Sequence, residues 1–314
     1  MRSILTILPS GLGDFVMASP ALQTLKVNFP EARLCLYPPT TSRPLIEAQP
    51  YIDQVVEHPQ KFDLIINFRP EPEYAWLTFK QGKIRVGDYS QLLYFWVYNR
   101  GVFINWNDKK RHQVDFYLDY LKRLNLSKII TEMKIETTPA AREKISSLLP
   151  QGSLVGIHPG WQSGNIPYGA EGYAKVIDQL TARLPVKIVL IGGKKEKEKG
   201  EIIKRNCSAE VLDLIGKLDL LELAALISRL KLFIGVDSGP LHLASAYKIP
   251  TVFLSPSKRQ KPERWGPYKT KFVLVRHAEE CKIEPCYPNL CKETVCLKAI
   301  PPEEIVSAAE LLLK

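Results

Sequence analysis

The sequence predicts an α/β protein made of two similar domains in tandem. Short apolar runs rich in strand formers recur along the chain. Several end in glycine-containing loops that open a helical pattern. The order strand, loop, helix also begins twice, at residue 3 and again at residue 154. A length of 314 residues with 45% apolar side chains gives two domains of ordinary size, each able to bury a core.

Residues 3–8 (SILTIL) form the first strand, followed by PSGLGD and a helix through ALQTLKVNF. RLCLY (33–37) and DLIINF (63–68) have the length and spacing of parallel strands joined by helices. The segment 91–106 (QLLYFWVYNRGVFINW) is dense in aromatics, which serve core packing or offer a surface to a lipid-bearing partner. HQVDFYLDYLKRLNL (112–126) has helical spacing and closes the first domain. Residues 127–152 change character: TTPAAREKISSLLPQGS holds two prolines and ends in Gly-Ser, which places the connection there. The expected domains are therefore 1–150 and 151–314. LVGIHPG (154–160), KIVLIGG (187–193), LKLFIGV (230–236) and TVFLSPS (251–257) are the second domain's strands. PPEEIVSAAELLLK, with Pro then Glu in its first turn, is the last helix, a candidate to pack back toward the first domain.

Lys and Arg number 43 against 33 Asp and Glu, a net charge of +10 that favours acidic partners. The basic residues are scattered apart from the 194–199 and 258–264 regions, and no helix-turn-helix, zinc-finger or RNA-binding pattern is visible, so nucleic acid is not expected. No run reaches the ~18 apolar residues of a membrane span. The N-terminal apolar run is too short for a signal peptide. A cytoplasmic protein is expected. Cys281, Cys286, Cys291 and Cys296 recur every five residues. Free thiols, disulfides and a low-probability tetrahedral metal site stay open. No C-x-x-C pair is present, and Pro285 and Pro288 point to an irregular loop. No metal or cofactor is assigned.

Three loops can do chemistry. In SGLGD (10–14), Gly11 and Gly13 let the backbone turn sharply and approach a ligand. Asp14 at the helix N-terminus is either a general base or a helix cap. A dinucleotide fingerprint fits poorly, because Val16 stands where close packing needs a small residue. In VDSGPLHLASA (236–246), Asp237 follows a strand, Ser238 is placed to cap the helix and Pro240 suits its first turn. Backbone N–H groups from Ser238 and Gly239 would face an anion, and His242 could donate to a phosphate. HPGWQSGN (158–165) brings His158 and Gly160 to a third strand end, as backbone donors or as an ordinary turn. Ligands of open α/β sheets bind beyond the strands' carboxyl ends. Two such domains facing a central cleft would place the donor nucleotide on the second and Asp14 on the first.

These residues resemble glycosyltransferase family nine, the ADP-heptose:lipopolysaccharide heptosyltransferases. The likeness runs over nearly the whole chain and rests on ILPSGLGDFVMASPALQTLK, LVGIHPG, EGYAKVIDQL, KIVLIGG and LIGKLDLLELAALISRLKLFIGVDSGPLHLASAYKIPTVFL. It implies a B-type glycosyltransferase fold of two Rossmann-like domains. The implied activity is an inverting, metal-independent transfer of heptose from ADP-heptose to the lipopolysaccharide inner core. The first domain would take the acceptor and the second the donor. Asp14 matches the family's proposed base. Asp237, Ser238, Gly239 and His242 match its donor-binding loop. A lipid-linked acceptor implies peripheral association with the anionic inner face of the inner membrane. One position departs: Ile166 stands where the family carries a phosphate-contacting Lys. Lys194, Lys195, Lys258 and Arg259 are candidate substitutes. Another nucleotide sugar or acceptor, or a catalytically weak nucleotide-sugar-binding protein, are the alternatives.

Overall fold

A computed structural model describes residues 1–38, 41–69, 71–90, 96–160, 168–255, 258, 261–282, 286, 296 and 300–314. They divide into two compact units, Met1–Thr137 and Thr138–Lys314.

The first unit runs β1 (Ser3–Ile7), α1 (Leu12–Asn28), β2 (Arg33–Tyr37), α2 (Arg43–Glu47), β3 (Gln54–Val55), β4 (Phe62–Asn67), α3 (Pro72–Gln81), β5 (Gly82–Gly87) and α4 (Gln113–Asp119). The strands form one sheet in the order β3-β2-β1-β4-β5, parallel throughout. Parallel neighbours need crossover segments, and helices on both faces leave the central strands apolar on both sides. Ile4, Leu5, Ile7, Leu64, Ile65 and Ile66 are accordingly all buried. The chain moves outward from β1 to β3 and then returns to β4. The carboxyl ends of β1 and β4 therefore flank the point where the strand order reverses. α1 starts there, is buried from Phe15 to Leu22, and packs on α4.

The second unit runs α5 (Pro139–Leu148), β6 (Ser153–His158), α6 (Ala170–Arg183), β7 (Val186–Leu190), α7 (Lys197–Asn206), β8 (Val211–Asp213), α8 (Leu220–Ile227), β9 (Leu232–Val236), α9 (Gly239–Ala246), β10 (Thr251–Leu254), α10 (Pro262–Trp265), β11 (Phe272–Val275) and a C-terminal helix (Pro302–Leu313). Its parallel sheet has the order β11-β10-β9-β6-β7-β8. Counted from β6, this repeats the order of the first sheet with one strand added, so both units are Rossmann-like. The reversal here lies between β6 and β9, where His158 pairs in register with Gly235. Val155, Ile157, Tyr173, Leu232 and Ile234 centre the core.

The division falls after Thr137, ahead of the expected boundary at 150. The stretch read as connection contains α5, which is capped by Thr138 accepting from the Ala141 N–H at 3.3 Å and opened by Pro139. Apolar Ala141 and Ile145 bury that helix, and it packs on α8. The C-terminal helix packs on α6 and on β9, β10 and β11 of its own unit, with Ile305, Val306 and Ala309 in the core. Among the described residues no helix is long and apolar enough to cross a membrane.

Candidate active site

In the first unit, β1 delivers its chain to Gly11, which sits at the N-cap of α1 with ordinary extended backbone. The glycine answers to space. A Cβ there would lie 2.6 Å from Oδ2 of Asp14, so the carboxylate folds back over the loop. Gly13 follows within the first helical turn. Asp14 is half-buried in the first turn of α1. Its Oδ1 accepts the Tyr117 hydroxyl at 2.9 Å. Tyr117 belongs to α4, and its ring is fixed edge-on against Phe68, just beyond β4. Burial first, and then the Asp14 charge, push the phenol well above its ordinary value, so it stays a neutral donor. A carboxylate that accepts a buried neutral donor, with its second oxygen over a glycine, has the form of a general base.

In the second unit, β9 delivers Asp237 and Ser238 to α9. Ser238 occupies the N-cap position, but its hydroxyl donates to the Val236 carbonyl at 3.1 Å rather than capping the helix. The expected side-chain cap is thus not made. The first N–H groups of α9 therefore lack a side-chain acceptor, and no acidic residue stands in its first turn. Gly239 and Pro240 open the helix and His242 lies one turn in, 2% exposed. Its Nε2 is 3.2 Å from Oδ1 of Asp237, while its Nδ1 is buried without a partner. His158 ends the adjacent β6, is 6% exposed, and also has a buried, unpartnered Nδ1. Burial, then the charge of Lys199, lower it to about 4, so its ring is neutral near pH 7. Gly160 closes this corner: a Cβ there would fall 2.6 Å from His158 Cε1 and 3.1 Å from Glu196 Cγ.

Two imidazole nitrogens and an uncapped helix N-terminus thus gather at the β6–β9 reversal. Helix N-termini favour anions through their free N–H groups and dipole. At the opposite end of this sheet a cavity of about 410 Å³ is lined by Pro150, Gly152, Leu154, Arg229 and Lys231. It lies at the strands' amino ends, away from where such sheets bind ligands.

The model of glycosyltransferase family 9 (heptosyltransferase) matches residues 58–295. The chain belongs to that family. As a family-9 glycosyltransferase it is an enzyme with the B-type glycosyltransferase fold. It is 28% identical to lipooligosaccharide heptosyltransferase 2 of Campylobacter jejuni, over 98% of this chain and 97% of that one. It is 25% identical to lipopolysaccharide heptosyltransferase 3 of Escherichia coli, over 96% and 95%. A crystal structure of a family 9 glycosyl transferase from Veillonella parvula matches with a TM-score of 0.85 at 23% identity, over 99% of this chain and 97% of that one. The E. coli ADP-heptose heptosyltransferase II structure matches at 0.79 and 20%, over 100% and 98%.

Three residues of these sites were not foreseen. Tyr117 lies on a helix whose apolar spacing reads as core. Glu196 accepts the Gly193 N–H at 2.7 Å and packs beside Gly160. Lys199 sits in a lysine-rich run that reads as solvated surface. Of the candidate cations, Lys194 and Lys195 are exposed and Lys258 is half-buried, while Arg259 lies outside the described residues, as does Ile166. Cys281, Cys286 and Cys296 are free thiols, the first and last buried, and Cys291 lies outside the described residues. Among the described residues no three His, Cys, Asp or Glu side chains group as metal ligands.

Proposed function

We propose that this enzyme transfers a heptose from ADP-heptose to the lipid-linked inner core of lipopolysaccharide, with inversion and without a metal. The observation that carries the reading is the paired arrangement at α9: an uncapped N-terminus beside two buried histidines whose Nδ1 atoms have no partner. Such a site suits a diphosphate, and the names of the relatives supply the sugar and the acceptor. In the reaction the acceptor oxygen attacks the anomeric carbon from the face opposite the diphosphate. The bond to the diphosphate oxygen breaks, and ADP leaves with the electron pair. Asp14 takes the acceptor's proton, and Tyr117 holds the carboxylate in its ionised form. Asp237 receives the Nε2–H of His242, which leaves Nδ1 to donate to a phosphate oxygen when the ring is protonated. The helix N-terminus and these donors offset the charge developing on the leaving group, the part a divalent ion would otherwise play.

A membrane-facing role has its own support. Trp76 and Phe79 on α3 stack at 5.6 Å, and Phe79 meets Trp96 edge-on at 5.2 Å. Trp76 and Trp96 are each 51% exposed, and Lys80 and Arg85 stand over these rings. Aromatic rings with cations beside them favour an anionic lipid interface. We place the enzyme peripherally on the cytoplasmic face of the inner membrane.

The test is transfer from ADP-heptose to a heptose-deficient core acceptor in excess chelator, with the wild type and Asp14→Asn. Wild-type turnover should survive the chelator, and the variant should lose roughly 10²–10⁴-fold in kcat while its ADP affinity holds. Unchanged turnover in the variant would remove Asp14 as the base. Loss in chelator would overturn metal independence. Turnover with another nucleotide sugar alone would replace the donor.

A further inference from the structure

We propose that Lys199 is a donor-site residue of this enzyme, contributing its ammonium to a phosphate of the bound nucleoside diphosphate sugar. This rests on the donor reading above and names a residue that the loop motifs do not contain.

Lys199 lies in the first turn of α7, and the loop before that helix leaves β7 beside β6. Its Nζ donates to the Tyr168 carbonyl at 2.6 Å and stands 5.5 Å from the Tyr173 ring centre. An ammonium carries three N–H donors, so two remain beyond that carbonyl. Among the described residues no carboxylate lies within ion-pair distance of it. The charges of Glu196 and Glu171 act only from farther off, and burial outweighs them, pushing the group down to about 8. Long lysine side chains ordinarily keep the charged end in water. One that tucks it between a carbonyl and an aromatic ring, without a counter-ion, holds a charge that an incoming anion would complete.

Its position points to the same ligand. The charge of Lys199 reaches His158, where it is the second cause, after burial, of the neutral ring. His158 carries the buried, unpartnered Nδ1 at the end of β6, and Gly160 keeps space open against its ring. The geometry leads to the same corner: a Cβ on Gly160 would meet both His158 Cε1 at 2.6 Å and Cγ of Glu196, three residues before Lys199, at 3.1 Å, so the start of α7 borders the carboxyl end of β6, the strand next to the one that feeds α9. A purely structural Lys199 would only tie α7 to the segment entering α6, through the Tyr168 carbonyl.

The two roles separate in a ligand series. Adenosine, AMP and ADP binding would be measured by calorimetry on the wild type, Lys199→Gln and Lys199→Arg. A phosphate contact predicts roughly 10- to 100-fold weaker ADP binding in Lys199→Gln, the loss expected for one charge-assisted hydrogen bond. AMP should lose no more than ADP, adenosine should be unchanged, and Lys199→Arg should recover much of the affinity. Equal losses for all three ligands, or ADP binding within about twofold of wild type, would overturn the proposal. If the wild type itself fails to bind ADP, the donor reading falls first. Should Lys199→Gln fail to fold, the wild type still decides. An amine-acylating reagent near pH 8, read by mass spectrometry, should label Lys199 more slowly with ADP than with adenosine. Equal labelling would overturn the assignment.

Discussion

Tyr117→Phe isolates the hydrogen bond from the Tyr117 hydroxyl to the Asp14 carboxylate. The substitution removes only the hydroxyl; the ring, packed against Phe68, keeps its place. The lost bond is 2.9 Å long and runs to an ionised acceptor from a fully buried donor. Hydrogen bonds to charged groups are worth roughly 1.5–3 kcal/mol, and 1.36 kcal/mol corresponds to one pH unit of titration. Tyr117 donates to the ionised form of Asp14 and so favours it. Without the hydroxyl the base protonates more readily. The acidic limb of log kcat/KM against pH should therefore move upward by about 1–2 units. At a pH well above that limb the rate should be nearly unchanged, which separates this effect from a general loss of activity. The assay is initial-rate transfer at limiting donor from pH 4.5 to 9, with circular dichroism confirming the fold at each pH. A limb displaced by less than about 0.3 unit, or an equal loss at every pH, refutes the idea that Tyr117 sets the ionisation of the base.

Other expectations follow from named contacts. Gly160→Ala should displace the His158 ring, at roughly 1–3 kcal/mol for the overpacked site, and weaken ADP binding measured by calorimetry; full affinity would show that this corner does not touch the ligand. His158 is lowered from 6.5 to about 4 by burial. The unfolded chain thus binds the proton more readily, and this contribution, up to about 3 kcal/mol, is complete above pH 6.5 and lost as pH falls through about 4. Urea melts at pH 7.5 and pH 5 should show a smaller acid loss for His158→Gln than for wild type. Asp219 caps α8 by accepting the Glu222 N–H at 2.8 Å, and Glu222 returns the bond to the Asp219 N–H at 3.0 Å. Asp219→Ala should cost about 1 kcal/mol of stability in denaturant melts and leave turnover intact. Trp76→Ala with Trp96→Ala should leave the melting temperature within a few degrees and reduce co-sedimentation with phosphatidylglycerol vesicles; undiminished binding would place the lipid contact elsewhere.

How legible the molecule is from its sequence depends on whether a feature is local. RLCLY forms β2 over Arg33–Tyr37 because an apolar run bounded by turn residues reports its own burial. Asp237, Ser238 and His242 are readable because the helix start they belong to is a contiguous pattern. The carboxylate partner Tyr117 comes from α4, far along the chain from Asp14, and its residue type looks like any core aromatic of that helix. Lys199 is hidden for the opposite reason: it sits among Lys194, Lys195 and Lys197, which are exposed, and only the fold turns this one inward. The helix at Pro139–Leu148 escapes because Pro139, Pro150 just beyond it and its polar face imitate a linker, while Ala141 and Ile145 bury it against α8.

The two units share the order of their first five strands, so the same physics places a helix N-terminus at each reversal of the sheet. What each does with it differs by a few side chains. In the first unit Asp14 stands in the opening turn of α1 and fills the positive end with a carboxylate of its own. That end therefore favours an ionised base, not a bound anion. In the second unit the opening turn of α9 has no acidic residue, Ser238 turns its hydroxyl to Val236, and Pro240 brings no N–H. The positive end stays available to a ligand, with imidazoles beside it. On the proposed function, one backbone arrangement serves a proton acceptor in one unit and an anion seat in the other. Exchanging the chemistry should reverse the roles: Asp14→Asn frees the end of α1 and ends proton abstraction, while Ser238→Asp would fill the end of α9 and repel a diphosphate. A Ser238→Asp enzyme that binds ADP as tightly as wild type would show that the α9 N-terminus is not where the diphosphate sits.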